Sequence, residues 1–248
     1  MHRIIFQIGP FTVYSYGLFV AIAFLLSTIL IIRDSKRFGI SPDKMFDCMI
    51  AILLGGIIGG RLLFVIINYH YYLEYPLKAF MFYEGGLAFQ GALIMAALVG
   101  IMFARVRKIP FWKSADIIAP YIALGQSLGR IGCFLNGCCY GRVAHKGLLV
   151  TFPHEPFTRI PTQIYSSLLL LLIFVVLIEM RERRHFDGYV FCAYMIFYSV
   201  FRFFMDFTRG DNLAVLFDMR LSQVISLGMF VVASGIYFIL KWRGRRVG

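Results

Sequence analysis

Seven long apolar stretches restrict what this chain of 248 residues can fold into. Each is roughly 18 to 25 residues long, enough for a helix to cross the ~30 Å hydrocarbon core of a bilayer. With 60% hydrophobic and only 15% charged residues, the chain is too apolar for a soluble domain. The sequence predicts an all-α, polytopic membrane protein that forms a single domain over residues 1–248. The predicted spans lie near residues 13–32, 46–68, 87–104, 115–135, 163–180, 188–205 and 221–240.

Lysines and arginines concentrate in the loops that follow the first, third, fifth and last predicted spans. Loops rich in these residues stay on the cytoplasmic side, so we expect the N-terminus outside and the C-terminus inside. The formal net charge of +12 then reflects topology, together with attraction to anionic membrane lipids. Because the cations are divided among short loops, no nucleic-acid partner is expected.

Two further stretches predict local structure. The longest polar insertion, near residues 140–161, contains prolines and glycines and predicts a small outward-facing loop or head. In the second span, the motif GGIIGGR spaces Gly55 from Gly59, and Gly56 from Gly60, by four residues. This spacing is typical of helices that pack closely against a neighbour.

Three arginines, Arg61, Arg130 and Arg202, fall within the predicted spans or at their ends. A charge near the bilayer centre costs at least ~2.5 kcal/mol, so each arginine requires a partner or a watery cavity. With the orientation above, all three lie in the outward half of their helices. The same level is predicted for Tyr16, Glu84 and Gln90.

The sixth span places Tyr198, Arg202, Asp206 and Arg209 on one helical face. Structural ion pairs would explain any single arginine. Three arginines at one depth, with fewer acids nearby than cations, instead suggest that the missing anion is a ligand. At that depth, an anion with an apolar tail is a phospholipid headgroup.

Several other residues resemble known kinds of site. The segment GQSLG, residues 125–129, matches a nucleophile motif, but Ser127 lies within an apolar helix instead of a strand-to-helix turn. Cys133, Cys138 and Cys139 have the spacing C-x4-C-C without a neighbouring histidine, which fits no common zinc pattern, so no metal is predicted. A packing role, or a disulfide between Cys133 and Cys138, stays open.

Two histidines, His145 and His154, lie in the predicted outward loop. Either one could act as a base, but a solvated loop histidine usually does not.

Six short motifs occur in order along the chain. They are IGPFTVYSYGL, GGRLLFVI, YEGGLAFQG, GRIGCFLNGCCYG, RIPTQIY and FRFFMDFTRGDN. On these motifs, the chain resembles the prolipoprotein diacylglyceryl transferases nearly from end to end. The resemblance implies a multi-pass enzyme of the bacterial inner membrane that needs no cofactor. Its reaction would move the diacylglyceryl group of phosphatidylglycerol to the lipobox cysteine of a prolipoprotein signal peptide, forming a thioether and releasing glycerol-1-phosphate.

The resemblance also implies roles for individual residues. Arg130 resembles the family's lipid-phosphate-binding arginine, and Arg202 resembles its second essential arginine, so both are predicted to be catalytic. The other motif positions, predicted to bind the lipid, are Tyr16, Arg61, Glu84, Gln90, Asn136, Gly141, Asp206 and Arg209.

Three positions depart from the family pattern. The family commonly has a histidine at Gln90, an asparagine at Cys133 and an acidic residue at Cys138. A neutral amide cannot act as a general base, so that role does not transfer to Gln90. The acceptor thiol could ionise without a dedicated base in a cationic field, or Glu84, Tyr16 or a loop histidine could serve instead. The alternatives are a divergent member with another lipid donor or acceptor, and a non-enzymatic lipid-binding or anion-transporting membrane protein.

Overall fold

The computed structural model describes residues 4–8, 11–81, 85–144, 149–152, 157–209, 214–216 and 219–247. All seven predicted spans are helical, which confirms the predicted all-α membrane architecture. The long helices are α1 (Ser15–Arg37), α2 (Pro42–Ile67), α4 (Phe89–Val106), α5 (Phe111–Asn136), α6 (Thr162–Glu182), α7 (Tyr189–Asp206) and α8 (Leu221–Val247), and α3 (Tyr69–Glu74) is short. Glu84, His145 and His154 lie outside the described residues.

Short elements connect the helices. The strands pair in sequence as antiparallel hairpins: β1 (Ile4–Ile8) with β2 (Phe11–Tyr14), β3 (Val150–Thr151) with β4 (Thr158–Arg159), and β5 (Ala214–Leu216) with β6 (Met219–Arg220). A 3-10 helix, Pro76–Phe80, follows α3. None of these hairpins was predicted from the sequence, because strands of two to five residues leave too short a pattern to recognise.

Apolar side chains cover the outer surfaces of the long helices. Leu98 is 56% exposed on α4, and Val231 and Phe238 are both 67% exposed on α8. A water-soluble monomer rarely exposes apolar surface on this scale, whereas lipid-facing helices require it. Together with the length and composition of the seven helices, this makes the chain a multi-pass membrane protein.

The chain divides into two compact units, and the prediction of a single domain stays a prediction. One unit spans Ile32–Ser114, and in it α2 packs on α4 through glycines. A Cβ added at Gly55 would lie 2.8 Å from Val99 Cγ2, and one added at Gly59 would overlap Met95 and the Gly91 carbonyl oxygen. The close packing predicted from GGIIGGR is therefore confirmed.

The other unit combines Met1–Ile31 with Ala115–Gly248, and α5 contacts its neighbours there through polar groups. Ser27 on α1 donates a hydrogen bond to the Tyr121 carbonyl at 3.1 Å. Ser127 on α5 donates to the Ser167 carbonyl on α6 at 2.8 Å, and the two hydroxyls lie 3.0 Å apart. The Ser127 hydroxyl thus joins two helices, which agrees with the argument that it is not a nucleophile.

The start of α7 is fixed by Asp116, a fully buried carboxylate on α5. It accepts hydrogen bonds from the backbone N–H of Gly188 at 2.8 Å and of Phe191 at 2.9 Å. The first N–H groups of a helix have no intrahelical partners, and an anion there is favoured by the helix dipole. Asp116 therefore has a structural role.

Candidate active site

The C-terminus of α5 reverses the chain in a Schellman motif. Gly137 has a φ of +72°, and its N–H donates to the Phe134 carbonyl at 3.1 Å. The N–H of Cys138 donates to the Cys133 carbonyl, also at 3.1 Å. In this motif, the second residue beyond the helix folds back over the last full turn. That geometry brings Cys138 beside Cys133, although five positions separate them in sequence.

Three sulfur atoms meet at this turn. The Sγ atoms of Cys133, Cys138 and Cys139 all lie within 4.8 Å of one another, and none of them forms a disulfide. The Asn136 side chain lies close to the sulfur of Cys138. Cys139 itself has a φ of +60°, a conformation that is strained for a residue other than glycine. The strained turn places a third thiol next to the first two.

The first turn of α6 supports the cysteine segment. Thr162 Oγ1 donates to the Cys139 carbonyl at 2.9 Å, and Gln163 Nε2 donates to the Cys138 carbonyl at 2.6 Å. Both side chains are buried. Both residues lie in the motif RIPTQIY, but no role was predicted for them from the sequence. Their signal was a pair of polar residues at the start of an apolar helix, which sequence alone cannot connect to a distant turn.

Gly141 lies where three backbone segments cross. Its N–H donates to the Ile160 carbonyl at 2.9 Å, and the residue forms an antiparallel bridge with Arg209. A Cβ at this position would lie 2.8 Å from the Thr208 carbonyl oxygen and 2.7 Å from Thr162 Cγ2. A larger residue would therefore displace the segments that follow α5 and α7 and precede α6.

Arg130, near the end of α5, is partly buried and makes no hydrogen bond or ion pair within the described parts of the chain. Its charge acts on Tyr16, Cys139 and Arg202. A partly buried guanidinium that lacks an anionic partner is unfavourable on its own. Arg130 therefore has donors available for an anion.

Arg202 is paired. Its Nη2 lies 3.3 Å from a carboxylate oxygen of Asp206, one turn along α7. Asp206 is fully buried and also accepts a hydrogen bond from the Ser222 hydroxyl in the first turn of α8. Arg130 and Arg209 carry the same positive charge as Arg202 and lie close enough to repel it. The structure thus brings together three of the predicted arginines with a carboxylate that orients one of them.

The cysteines lie in the field of these arginines. Hydrogen bonds from the Cys133 and Cys138 thiols, together with the charges of Arg209 and Arg130, lower the pKa of the Cys139 thiol well below its ordinary value. Tyr16 lies at the start of α1, where its backbone packs against Gly132 of α5 while its side chain is 43% exposed. Tyr16, Arg130, Asn136, Gly141, Arg202, Asp206 and Arg209 all belong to one unit.

The outward head predicted near 140–161 forms a small β structure in its described parts. Val143 bridges Arg159, whose guanidinium lies 4.5 Å from the centre of the Tyr140 ring. Phe152 is buried against the rings of Phe134 and Tyr140. No role was predicted for Arg159 from the sequence either. Its contacts hold the head beside the cysteine turn.

Arg61 has a different environment in the other unit. Its five N–H groups all donate to backbone carbonyls: those of Lys78, Ala79, Met81, Gly85 and Gly86, at 2.5 to 3.2 Å. The guanidinium also lies over the rings of Phe64 and Tyr72. Since guanidinium has five donors, those of Arg61 are occupied in holding the segment after α3. These contacts give Arg61 a structural role, and its predicted lipid-binding role stays a prediction.

Gln90 is exposed in the first turn of α4. Its side chain makes no hydrogen bond within the part of the chain that the structure describes. An amide in this position can donate or accept a hydrogen bond but cannot take a proton at neutral pH.

Comparison with known proteins gives consistent matches. The sequence pattern of the family described as prolipoprotein diacylglyceryl transferase matches residues 3–239. A phosphatidylglycerol–prolipoprotein diacylglyceryl transferase of Bacillus licheniformis is 34% identical over 258 residues, which cover 100% of this chain and 95% of that protein. Enzymes with the same name from Pediococcus pentosaceus and Bacillus cereus are each 36% identical, covering 95% and 97% of this chain and 89% and 92% of their own lengths, respectively.

Proposed function

Since this chain belongs to the prolipoprotein diacylglyceryl transferase family, we propose that it transfers the diacylglyceryl group of phosphatidylglycerol to the lipobox cysteine of prolipoproteins. The observation that carries the proposal is Arg130, a partly buried guanidinium without a protein partner in the described residues, beside Arg202 and Arg209. A lipid phosphate is an anion that matches this cluster in charge and in hydrogen-bonding geometry.

The reaction is a substitution at carbon. The thiolate sulfur of the lipobox cysteine attacks the glyceryl carbon that carries the phosphate ester. The carbon–oxygen bond breaks, and its electron pair leaves with glycerol-1-phosphate. The product is a thioether between the cysteine and diacylglycerol, and the proton of the original thiol passes to solvent.

The arginines contribute most as this bond breaks. Negative charge grows on the departing phosphate, and donors already in place beside it stabilise that state more than the ground state. Arg130 contacts the phosphate directly. Arg202 is the second catalytic residue, and its pairing with buried Asp206 fixes its direction before the lipid binds. Tyr16, Asn136 and Arg209 complete the lipid-binding surface.

Other predicted site residues act through the backbone. Gly141 allows the segments that carry Cys139 and Arg209 to cross, and Arg61 holds the segment that contains Lys78 and Gly85 through hydrogen bonds to its carbonyls.

Gln90 is not required as a base. A thiol with a pKa near ~8.5 is already a few per cent ionised at neutral pH, and a cationic field increases that fraction.

The enzyme acts in the bacterial inner membrane, with its N-terminus periplasmic and its C-terminus cytoplasmic. The lysines and arginines in the last turns of α1, α4, α6 and α8, and just after α4 and α6, support this orientation, since these helix ends would then be cytoplasmic. The turn after α5 is consequently periplasmic. A reporter that is active only in the cytoplasm should function when fused to the C-terminus and fail when inserted after residue 144.

Complementation tests the proposed function. The wild-type chain should restore growth and lipoprotein processing to a bacterial strain depleted of its own transferase. The Arg130→Ala variant, produced at an equal level in the membrane, should restore neither. A wild-type chain that is stably inserted but does not rescue the strain would contradict the proposed donor and acceptor.

A further inference from the structure

The cysteine cluster at the end of α5 has no role in the mechanism above. We propose that Cys133, Cys138 and Cys139 together bind a zinc ion, and that its fourth coordination position receives the lipobox thiol of the substrate. This site rests on the proposed function, because it would ionise and position the substrate thiol that is the nucleophile in that reaction. It answers a question that the sequence leaves open, namely which group activates the thiol when Gln90 cannot act as a base.

The positions of the three sulfurs fit a metal site. Zinc bound to thiolates has Zn–S distances of about 2.3 Å, which places tetrahedral sulfur ligands about 3.8 Å apart. The sulfurs of Cys133, Cys138 and Cys139 are gathered within 4.8 Å before any ion is considered. Small side-chain rotations are enough to close the remaining difference. Thiolates are also the ligands that select zinc over harder divalent ions.

The spacing C-x4-C-C does not resemble a common zinc motif, but the backbone conformation brings the three sulfurs close enough together to bind one ion. The Schellman turn at Gly137 folds Cys138 onto Cys133, and the positive φ at Cys139 adds the third sulfur. Hydrogen bonds from Thr162 and Gln163 to the carbonyls of the cysteine segment then hold the turn. Such supporting contacts around ligands are typical of metal sites.

The charges around the cluster are also appropriate. Three thiolates and one Zn²⁺ carry a net charge of about −1. The neighbouring Arg130 and Arg209 are positive and act on Cys139. They would therefore stabilise the loaded site. The same arginines are proposed to hold the phosphate, so the bound thiol and the lipid headgroup would meet at one place.

Three protein ligands leave one tetrahedral position open, as in catalytic zinc sites. The substrate thiol releases its proton to solvent when it binds there, because a coordinated thiol is deprotonated outright. The sulfur lone pair then attacks the glyceryl carbon, and the carbon–oxygen bond electrons leave with glycerol-1-phosphate. No oxidant or reductant is needed. The neutral thioether is a weaker ligand than a thiolate, so it leaves the metal.

Metal binding by the cluster is tested with purified, reduced, full-length protein in detergent. Titration with Co²⁺, a spectroscopic substitute for zinc, should give thiolate-to-cobalt charge-transfer absorption that saturates at about one equivalent per chain. Zn²⁺ should abolish this absorption by competition. The absorption should be weakened or lost in Cys133→Ser, Cys138→Ser and Cys139→Ser, but retained in Cys48→Ser and Cys192→Ser, which change buried cysteines outside the cluster.

Wild-type protein allows a second test that needs no variant. A synthetic lipobox peptide should shift the absorption of the cobalt-loaded protein as a fourth sulfur enters, whereas the same peptide with serine at the lipobox cysteine should not. Removal of metal by a strong chelator should lower transfer by on the order of 10², the scale for a group that handles the proton of a reacting atom. Added Zn²⁺ should restore the rate.

The outcomes separate the two proposals. The zinc site is overturned if reduced protein binds no stoichiometric metal, if binding survives all three cluster substitutions, or if active enzyme contains a disulfide within the cluster. Transfer that continues unchanged after metal removal also overturns it and leaves the proposed function intact. If cobalt binds and responds to the cysteine peptide, but no diacylglycerol is transferred from phosphatidylglycerol, the metal site stands and the proposed function fails.

Discussion

At the scale of single residues, the partners of a guanidinium indicate what it can do. Arg61 donates to five backbone carbonyls, Arg202 is oriented by Asp206, and Arg130 has no partner among the described residues. Only the last has all its donors available to a substrate. We therefore assign direct phosphate contact to Arg130.

The first prediction compares Arg130 with Gln90. The Arg130→Ala variant should lose transfer activity by on the order of 10² to 10³, because a donor aimed at developing charge is removed. Gln90→Ala should keep substantial activity, since an amide does not supply a base. Both are measured as initial rates of diacylglyceryl transfer in vitro. Equal losses in the two variants would contradict this division of roles.

Arg61 should matter for stability. Substitution with alanine leaves several partly buried carbonyls without donors, at up to about 1–3 kcal/mol each, so the variant should unfold at a clearly lower temperature in detergent. Arg107 is the control in the same unit, because its ion pair with Asp47 is half exposed. Exposed pairs contribute little, so Arg107→Ala should change the unfolding temperature only slightly. Similar shifts for both variants would show that the Arg61 contacts are not structural.

The sequence predicted that these arginines have a role within the membrane, but it could not show which of them binds lipid and which is structural. Depth in the membrane is readable from a hydropathy pattern, and Arg61 and Arg130 look alike by that criterion. What distinguishes them is a set of carbonyls from a loop 17 to 25 residues after Arg61, which no local pattern reveals. The same limit applies to the cysteines, since their convergence depends on the positive φ angles of Gly137 and Cys139.

At the scale of elements, glycines decide how closely two helices approach. A Cβ at Gly59 would overlap Met95, whereas one at Gly56 would meet Ala92 and Ala96 at 3.7 Å, an ordinary contact. Gly59→Ala should therefore destabilise the protein by about 1–3 kcal/mol through overpacking. Gly56→Ala, in the same helix, should be neutral or stabilising by up to about 1 kcal/mol. Denaturant unfolding in detergent measures both, and the opposite order would contradict the described packing.

The crossing at Gly141 gives an element-scale prediction about activity. Gly141→Ala should force apart the segments after α5 and α7, which separates Cys139 from Arg209 and lowers the transfer rate. The control is Gly228→Ala on α8, where an added Cβ meets nothing within 4 Å. This variant should retain both folding and activity. A fully active Gly141→Ala enzyme would show that the crossing does not position the site.

At the scale of the whole molecule, the sequence predicted the helices well because twenty consecutive apolar residues have few alternatives. The hairpins were not predicted because their strands have only two to five residues, and the backbone crossing after α5 was not predicted because it depends on contacts between segments distant in sequence. Gly141, for example, pairs with Arg209. The membrane spans are thus readable from composition, whereas the sequence indicates site residues without showing how they are arranged.

In the proposed mechanism, a cluster of arginines holds the phosphate that departs from phosphatidylglycerol. The most direct measurement is product analysis of purified enzyme with phosphatidylglycerol vesicles and a lipobox peptide. We expect one glycerol-1-phosphate released for each peptide that gains a thioether-linked diacylglycerol, with little product from phosphatidylethanolamine and little from Arg130→Ala. Thioether formation without glycerol-1-phosphate, or at an undiminished rate in Arg130→Ala, would contradict this mechanism.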